Sequence, residues 1–138
     1  MTPTWISLAI KQWSAEAIQL NAPATPERIV ATEQTVGFEF PEAFKEFYLQ
    51  LDGFVDWDWT SNMFSIWPLE RILEEYQQSP EKHLVGFADW LIRGTIISFI
   101  KGRDGIYKSY DFKSEPELIT TSFSELIHLI NSDSERLY

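Results

Sequence analysis

The sequence contains no cysteine, only six glycines and two histidines, and no apolar run near the roughly 18 residues of a membrane-spanning helix. The absence of cysteine excludes a disulfide scaffold, a thiolate zinc site and a cysteine nucleophile. It also fits a reducing compartment. The N-terminal segment lacks the basic-then-apolar order of a signal peptide. We therefore expect a cytoplasmic protein that does not enter a membrane.

Motifs for metal binding and catalysis are also absent. His83 and His128 lie in different predicted elements, without the spacing of a metal site. The sequence has no G-x-S-x-G motif and no phosphate-binding loop, and no base can be assigned to a serine or threonine nucleophile. These patterns predict a protein without metal, cofactor or enzymatic activity.

Basic residues are scarce, with 11 lysines and arginines against 21 acids, so the formal net charge is −10. This charge predicts repulsion from nucleic acid and anionic membranes and attraction to basic proteins, although it also serves solubility alone. Aromatic residues are abundant at 15%, including six tryptophans. Tryptophan is enriched at binding surfaces, but it is equally a core residue.

Hydrophobic periodicity predicts five helices and five strands in a chain of 138 residues, a length that suits one domain. The order of these elements predicts an α+β fold with helices packed on one face of a small antiparallel β-sheet. The predicted helices are residues 5–20, Pro26–Val36, a helix from Pro41 that Gly53 closes, a helix from Pro68 to Ser79, and Phe123–Ile130. The predicted strands are Met63–Trp67, Leu84–Ala88, Thr95–Ile100, Ile106–Phe112 and Leu118–Thr120.

Capping residues support several of these helix boundaries. Thr25 is a predicted N-cap, and Gly37 is placed where a helix end needs the left-handed conformation. Ser122 and Glu125 form a predicted capping box, with reciprocal side-chain to backbone bonds. From Asn131 onward the pattern predicts only a polar tail.

Glu33 occupies a position on the second helix where the apolar stripe would continue. A carboxylate on a buried face must be hydrogen-bonded or paired. The favoured interpretation is a structural acid that ties this helix to the loop before Pro41. A ligand-binding or catalytic carboxylate is the alternative.

The loop from Asp52 to Trp59 combines acidic residues with tryptophans, and the helix that follows carries an acidic face. Two carboxylates beside aromatic rings can support glycoside hydrolysis, but the small size of the chain and the usual solvation of loop acids disfavour it. An interface anchor with a charged rim is the favoured interpretation, although Trp57 and Trp59 could instead be core residues. The predicted partner-binding residues are Asp52, Asp56, Trp57, Asp58, Trp59, Glu70, Glu74 and Glu75.

The run E-x-x-x-G-x-x-F-P-x-x-F-K-x-F-Y-x-x-x-x-G, from Glu33 to Gly53, resembles the SUKH superfamily with its SMI/KNR-like domain. This group contains fungal cell-wall-synthesis regulators and immunity proteins of bacterial polymorphic toxin systems. The resemblance covers about residues 26–130, within a predicted single domain of residues 1–138 whose first 24 residues add a helix and linker. It continues through FSIWPLERI (64–72), LVGFAD (84–89), the segment 94–100 and TSFSELIHLI (121–130).

The resemblance implies an α+β fold, protein binding and no catalysis. In bacterial members the partner is a cognate toxin, and many such toxins are basic nucleases, which suits a net charge of −10. We therefore expect an immunity protein that neutralises a basic toxin, such as a nuclease, through an acidic surface containing aromatic residues. The alternative is a regulatory or scaffold domain of the same fold with a cellular partner. The motif residues Gly37, Pro41 and Gly53 are interpreted as scaffold, so the partner-binding surface is expected outside the motif.

Overall fold

A computed structural model of the chain describes residues 2–55, 58–110 and 115–138. Within these ranges an antiparallel sheet packs against helices, which confirms the predicted α+β fold. The helices are α1 (Thr4–Ala15), α2 (Pro26–Val36), α3 (Glu42–Tyr48), α4 (Leu69–Gln78) and α5 (Phe123–Asn131), and a 3-10 helix follows at Glu135–Leu137. The strands are β1 (Phe64–Ile66), β2 (Leu84–Trp90), β3 (Thr95–Ile100), β4 (Ile106–Ser109) and β5 (Glu117–Thr120).

The five strands form an antiparallel meander in the order β1-β2-β3-β4-β5. Trp90 lies opposite both Phe64 of β1 and Thr95 of β3, so β2 extends two residues beyond its predicted end. Strand β4 ends at Ser109, before the predicted end at residue 112, and residues 111 and 112 lie outside the described part of the chain.

A cluster of phenylalanine rings lies in the core between the sheet and the helices. Phe44 of α3 lies 5.1 Å from the ring of Phe123 in α5 and 5.4 Å from that of Phe99 in β3. Phe87 of β2 stacks on Phe99 at 4.7 Å. Aromatic side chains bury large areas and favour such edge and offset contacts. This cluster fixes α3 and α5 on one face of the sheet.

The N-terminal helix α1 packs into the same core. Trp13 is fully buried, with its ring 4.9 Å from Phe54 and 5.9 Å from Phe47. Its indole N–H donates to Asn131 Oδ1 at 2.8 Å, which satisfies the polar atom of a buried tryptophan. Helix α1 ends at Ala15 rather than at residue 20, because Ala17 takes a φ of 61° that interrupts the helix.

The predicted caps are correct at α2 and partly correct at α5. Thr25 Oγ1 accepts from the Arg28 N–H at 3.2 Å, and Gly37 ends α2 with a φ of 68°. Ser122 Oγ accepts from the Glu125 N–H at 3.2 Å, as the capping box predicts. The second bond of the capping box, from the Ser122 N–H to the Glu125 carboxylate, does not form within the described residues. The Ser122 N–H donates to a threonine hydroxyl instead, and the Glu125 carboxylate pairs with an arginine.

Helix α3 ends at Tyr48, so the prediction that Gly53 closes this helix is wrong. Gly53 instead lies where two chain segments meet, with a φ of 66°. A Cβ at this position would lie 2.5 Å from the carbonyl carbon and oxygen of Trp67. The buried Tyr48 hydroxyl donates to the same oxygen at 2.6 Å, and burial raises the pKa of Tyr48 well above its usual value, with the Asp52 carboxylate adding to the effect.

The C-terminal residues do not form the predicted polar tail. Leu137 is buried, and the Tyr138 ring packs against Trp90 with 5.0 Å between centroids. The buried Lys108 ammonium donates to the backbone oxygens of Leu137 at 3.1 Å and Tyr138 at 2.8 Å. An internal lysine therefore fixes the chain end, a long-range contact with no signal in the local sequence.

Glu33 has the structural role that the pattern favours. Its Oε2 accepts from the Phe40 N–H at 2.8 Å and lies 3.6 Å from Lys45 Nζ. Desolvation lowers the pKa of Lys45, but the carboxylates of Glu33 and Glu39 outweigh this effect and raise the pKa above its usual value. The contact joins α2 to the start of α3 and confirms the predicted tie.

We expect Glu33→Ala to lower the free energy of unfolding by about 1–3 kcal/mol, because the Phe40 amide loses its acceptor. Glu33→Gln keeps an acceptor oxygen and should lose less. Urea denaturation measures both, with Glu39→Ala as the control because that side chain is 84% exposed. Wild-type stability in Glu33→Ala, combined with weaker partner binding, would instead place Glu33 in an interface.

Candidate partner-binding surface

Asp52 is buried and stabilises the start of α4. Its Oδ1 accepts from the N–H of Leu69, the first residue of the helix, at 2.8 Å. Its Oδ2 lies 3.2 Å from Arg28 Nη1, and the side chain of Arg28 is 54% exposed. A carboxylate at a helix N-terminus satisfies an unpaired amide and interacts well with the helix dipole. Asp52 therefore has a structural role, and its contact with a partner stays a prediction.

The end of the predicted loop presents one tryptophan to solvent. Trp59 is 39% exposed. Asp58 is half-buried, and its carboxylate accepts from the backbone N–H groups of Gln19 at 2.7 Å and Trp59 at 3.0 Å. Asp58 therefore fixes the loop while remaining accessible. Asp56 and Trp57 lie outside the described residues.

The acidic residues of α4 fall into two groups. Glu70 and Glu74 are exposed. Glu75 is largely enclosed, with both carboxylate oxygens 2.6 Å from Arg93 Nη1 and one oxygen 3.7 Å from Arg71 Nε. Arg71 and Glu75 are four residues apart on α4 and form an ion pair. Of the three glutamates, Glu70 and Glu74 are the ones most available to a partner.

Arg71 also joins α4 to the sheet. Its Nη2 lies 3.1 Å from Oδ2 of the buried Asp89 in β2, and its guanidinium lies 4.5 Å from the Trp67 ring centroid. Burial raises the pKa of Asp89, and the positive charge of Arg71 opposes this rise. Sequence reasoning missed Asp89 and Arg93. The signal available for Asp89 was an acid inside the apolar strand run LVGFADW.

The predicted site residues line two recesses. Asp52 and Glu70 share a cleft of about 420 Å³ with Arg28. Trp59 lines a second, much smaller recess with Arg71, Asp89, Ile92 and two further residues of the loop and β1. Glu74 lies outside both sets of lining residues in the part of the chain that the structure describes. The structure therefore places Asp52 in the same cleft as Glu70, and it places Trp59 in the same recess as the Arg71–Asp89 ion pair.

The described residues contain no group of three or more acids or histidines that could hold a metal ion. No helix in these same ranges combines the length and apolar character needed to cross a membrane. What the surface offers is exposed carboxylates on α4 and an exposed indole on the loop before β1. Such groups can anchor and orient a protein partner.

The fold places the chain among α+β domains in which an antiparallel meander packs against helices. Residues 23–128 match the family model described as the SMI1 / KNR4 family (SUKH-1). This match covers most of the chain, so the chain belongs to the SUKH-1 family, which confirms the resemblance seen in its motifs. Comparison with curated proteins gives no match. Membership is consistent with an immunity or a regulatory role, and members are generally non-enzymatic.

Proposed function

We propose that this protein is an immunity protein that binds and neutralises a cognate, basic toxin, such as a nuclease, in the cytoplasm. Membership of the SUKH-1 family over residues 23–128 is the observation that carries the proposal. The net charge of −10 supports a basic partner, because opposite charge speeds association and favours the correct partner over others.

The geometry supports a surface made of the Trp59 loop and the exposed side of α4. Trp59 supplies an exposed apolar side chain, and Glu70 and Glu74 supply exposed negative charge on α4. Asp52 and Glu75 stabilise the elements that carry this surface, because Asp52 accepts from the Leu69 N–H and Glu75 pairs with Arg93. Neutralisation by this mechanism needs only tight binding.

A regulatory domain with a cellular partner is the second candidate. The observation that favours it is the family description, SMI1 / KNR4. The group that the sequence motifs resemble includes regulators of fungal cell-wall synthesis. The two candidates differ in genetic context, because an immunity protein is expected beside the gene for its toxin. A large gene immediately upstream, encoding a C-terminal effector domain, would favour the first.

Co-expression with the effector domain encoded by the neighbouring gene tests the proposal. We expect cells that are killed by the effector alone to grow when this chain is present, and the two proteins to copurify. Growth inhibition that the chain does not relieve, with no complex on size-exclusion chromatography, would overturn the immunity function. The regulatory candidate would then be the better one.

We expect the double variant Glu70→Gln/Glu74→Gln to slow association with that effector by about 3- to 10-fold at low salt, because it removes charge that steers the encounter. The matched control is Glu115→Gln/Glu135→Gln, which removes the same charge from two exposed positions elsewhere. Stopped-flow measurements at low and high ionic strength should show a difference that salt abolishes. Equal rates for both double variants would move the surface away from α4.

A further inference from the structure

The turn between β2 and β3 has an unusual backbone for its residues. Leu91, Ile92 and Arg93 take successive positive φ values of 56°, 49° and 71°. This left-handed region is unfavourable for residues with a Cβ, most of all for β-branched ones, and turns that need it usually contain glycine or asparagine. Strain of this kind persists where neighbouring contacts impose it, and it is concentrated at functional sites.

Two contacts impose the conformation. The Leu91 N–H donates to the Met63 carbonyl at 3.1 Å, and Met63 itself has a φ of 70°. Arg93 Nη1 lies 2.6 Å from both carboxylate oxygens of Glu75, a charge-assisted contact that joins the turn to α4. The turn is thus fixed from both sides against a neighbouring loop and a helix.

This rigid turn presents bulky apolar side chains to water. Leu91 is 47% exposed and Ile92 is 54% exposed, and Ile92 lines the same small recess as the exposed Trp59. These side chains gain little from burial in the fold, and they occupy positions where glycine would relieve the backbone. The stability of the fold therefore does not explain why these two residues are apolar. Their role as a preformed apolar anchor for a partner protein does explain it.

The charges around these side chains indicate which partner fits. The positive charges nearby are already neutralised, Arg93 by Glu75 and Arg71 by Asp89. The carboxylate of Asp58 accepts from the Trp59 N–H at 3.0 Å, and the exposed Glu74 precedes Glu75, which contacts Arg93 of the turn. An apolar centre with an acidic border matches an apolar side chain flanked by lysine or arginine. A second copy of this chain fits poorly, since each copy has a net charge of −10.

We propose that Trp59, Leu91 and Ile92 form the anchor of the partner surface, and that they receive an apolar side chain flanked by basic residues on the partner protein. This inference rests on the proposed function, because the basic partner is the toxin. It adds the β2–β3 turn, which the sequence pattern did not assign to any site.

Titration of the effector domain from the neighbouring gene against purified variants tests the anchor. We expect Ile92→Asp to weaken binding at least about 30-fold, because a central anchor residue is replaced by a charge that must be desolvated. The control Leu8→Asp makes the same change at an exposed leucine of α1, and we expect less than about a twofold effect from a change outside the interface. Near-wild-type affinity for Ile92→Asp would overturn the proposal while leaving the immunity function intact.

Ile92→Gly separates binding from folding. Glycine relieves the positive φ and removes the anchor, so we expect a higher melting temperature together with at least about a tenfold loss of affinity. A variant that loses both stability and binding would make Ile92 a structural residue and overturn the proposal.

If the wild-type chain does not bind that effector, a phage-displayed random peptide library decides the inference independently. Selection of peptides with an apolar residue between lysines or arginines, and loss of their binding to Ile92→Asp but not to Leu8→Asp, would support the anchor. Selection of no such peptides, or of peptides insensitive to Ile92→Asp, would overturn it.

Discussion

Gly53→Ala is expected to lower the free energy of unfolding by about 2–5 kcal/mol, the sum of a left-handed backbone penalty and overpacking. The added Cβ would lie 2.5 Å from the Trp67 carbonyl carbon and oxygen and 2.7 Å from the Pro68 nitrogen. These backbone atoms cannot move aside easily, because the Tyr48 hydroxyl holds the Trp67 oxygen. The Gly53 carbonyl also accepts from the Asn21 N–H at 3.1 Å, which fixes the other side.

Gly102→Ala is the matched control for this prediction. Gly102 has a φ of 81°, and a Cβ added there would meet no atom of the described residues within 4 Å, so only the backbone penalty applies, at about 1–2 kcal/mol. Urea denaturation of both variants should give a clearly larger loss for Gly53→Ala, with little change in the slope. Equal losses of stability would mean that the two chain segments at Gly53 leave enough space for a Cβ.

Local sequence signals predicted the elements of this fold well. Thr25 and Gly37 define the ends of α2 because capping depends on residues within one turn of the helix. The strand β3 matches its predicted bounds because a run of β-branched and aromatic residues favours a buried strand. Two of the errors concern long-range contacts. Gly53 meets Trp67, and Lys108 binds the carbonyls of the last two residues, at separations that no local pattern encodes.

The candidate surface could be predicted only in part. Sequence spacing placed Glu70 and Glu74 on α4, but it could not distinguish them from Glu75, which Arg93 encloses from a distant turn. The same limit applies to Asp52, since burial depends on how the loop meets α4. Ile92 carried no turn signal at all, because its left-handed backbone is imposed by tertiary contacts rather than by its own preference.

Asp52→Ala is expected to lower the free energy of unfolding by about 2–3 kcal/mol, because the buried Leu69 amide loses a charged acceptor. The Arg28 pair adds little to this loss, since its guanidinium is largely exposed and screened. Arg28→Ala should therefore lose less than about 1 kcal/mol. Asp52→Asn keeps an oxygen that can accept from Leu69 and should recover part of the stability.

The same variants decide whether Asp52 belongs to the partner surface. If its role is only to fix the start of α4, the folded fraction of Asp52→Asn should bind the effector with wild-type affinity, while Glu70→Gln/Glu74→Gln associates slowly. The reason is that α4 carries the exposed glutamates and needs only its N-terminal hydrogen bond to keep them in place. Calorimetric titration corrected for the folded fraction measures this. Full stability in Asp52→Asn together with lost affinity would show that the partner reaches into the cleft beside Arg28 and contacts the carboxylate directly.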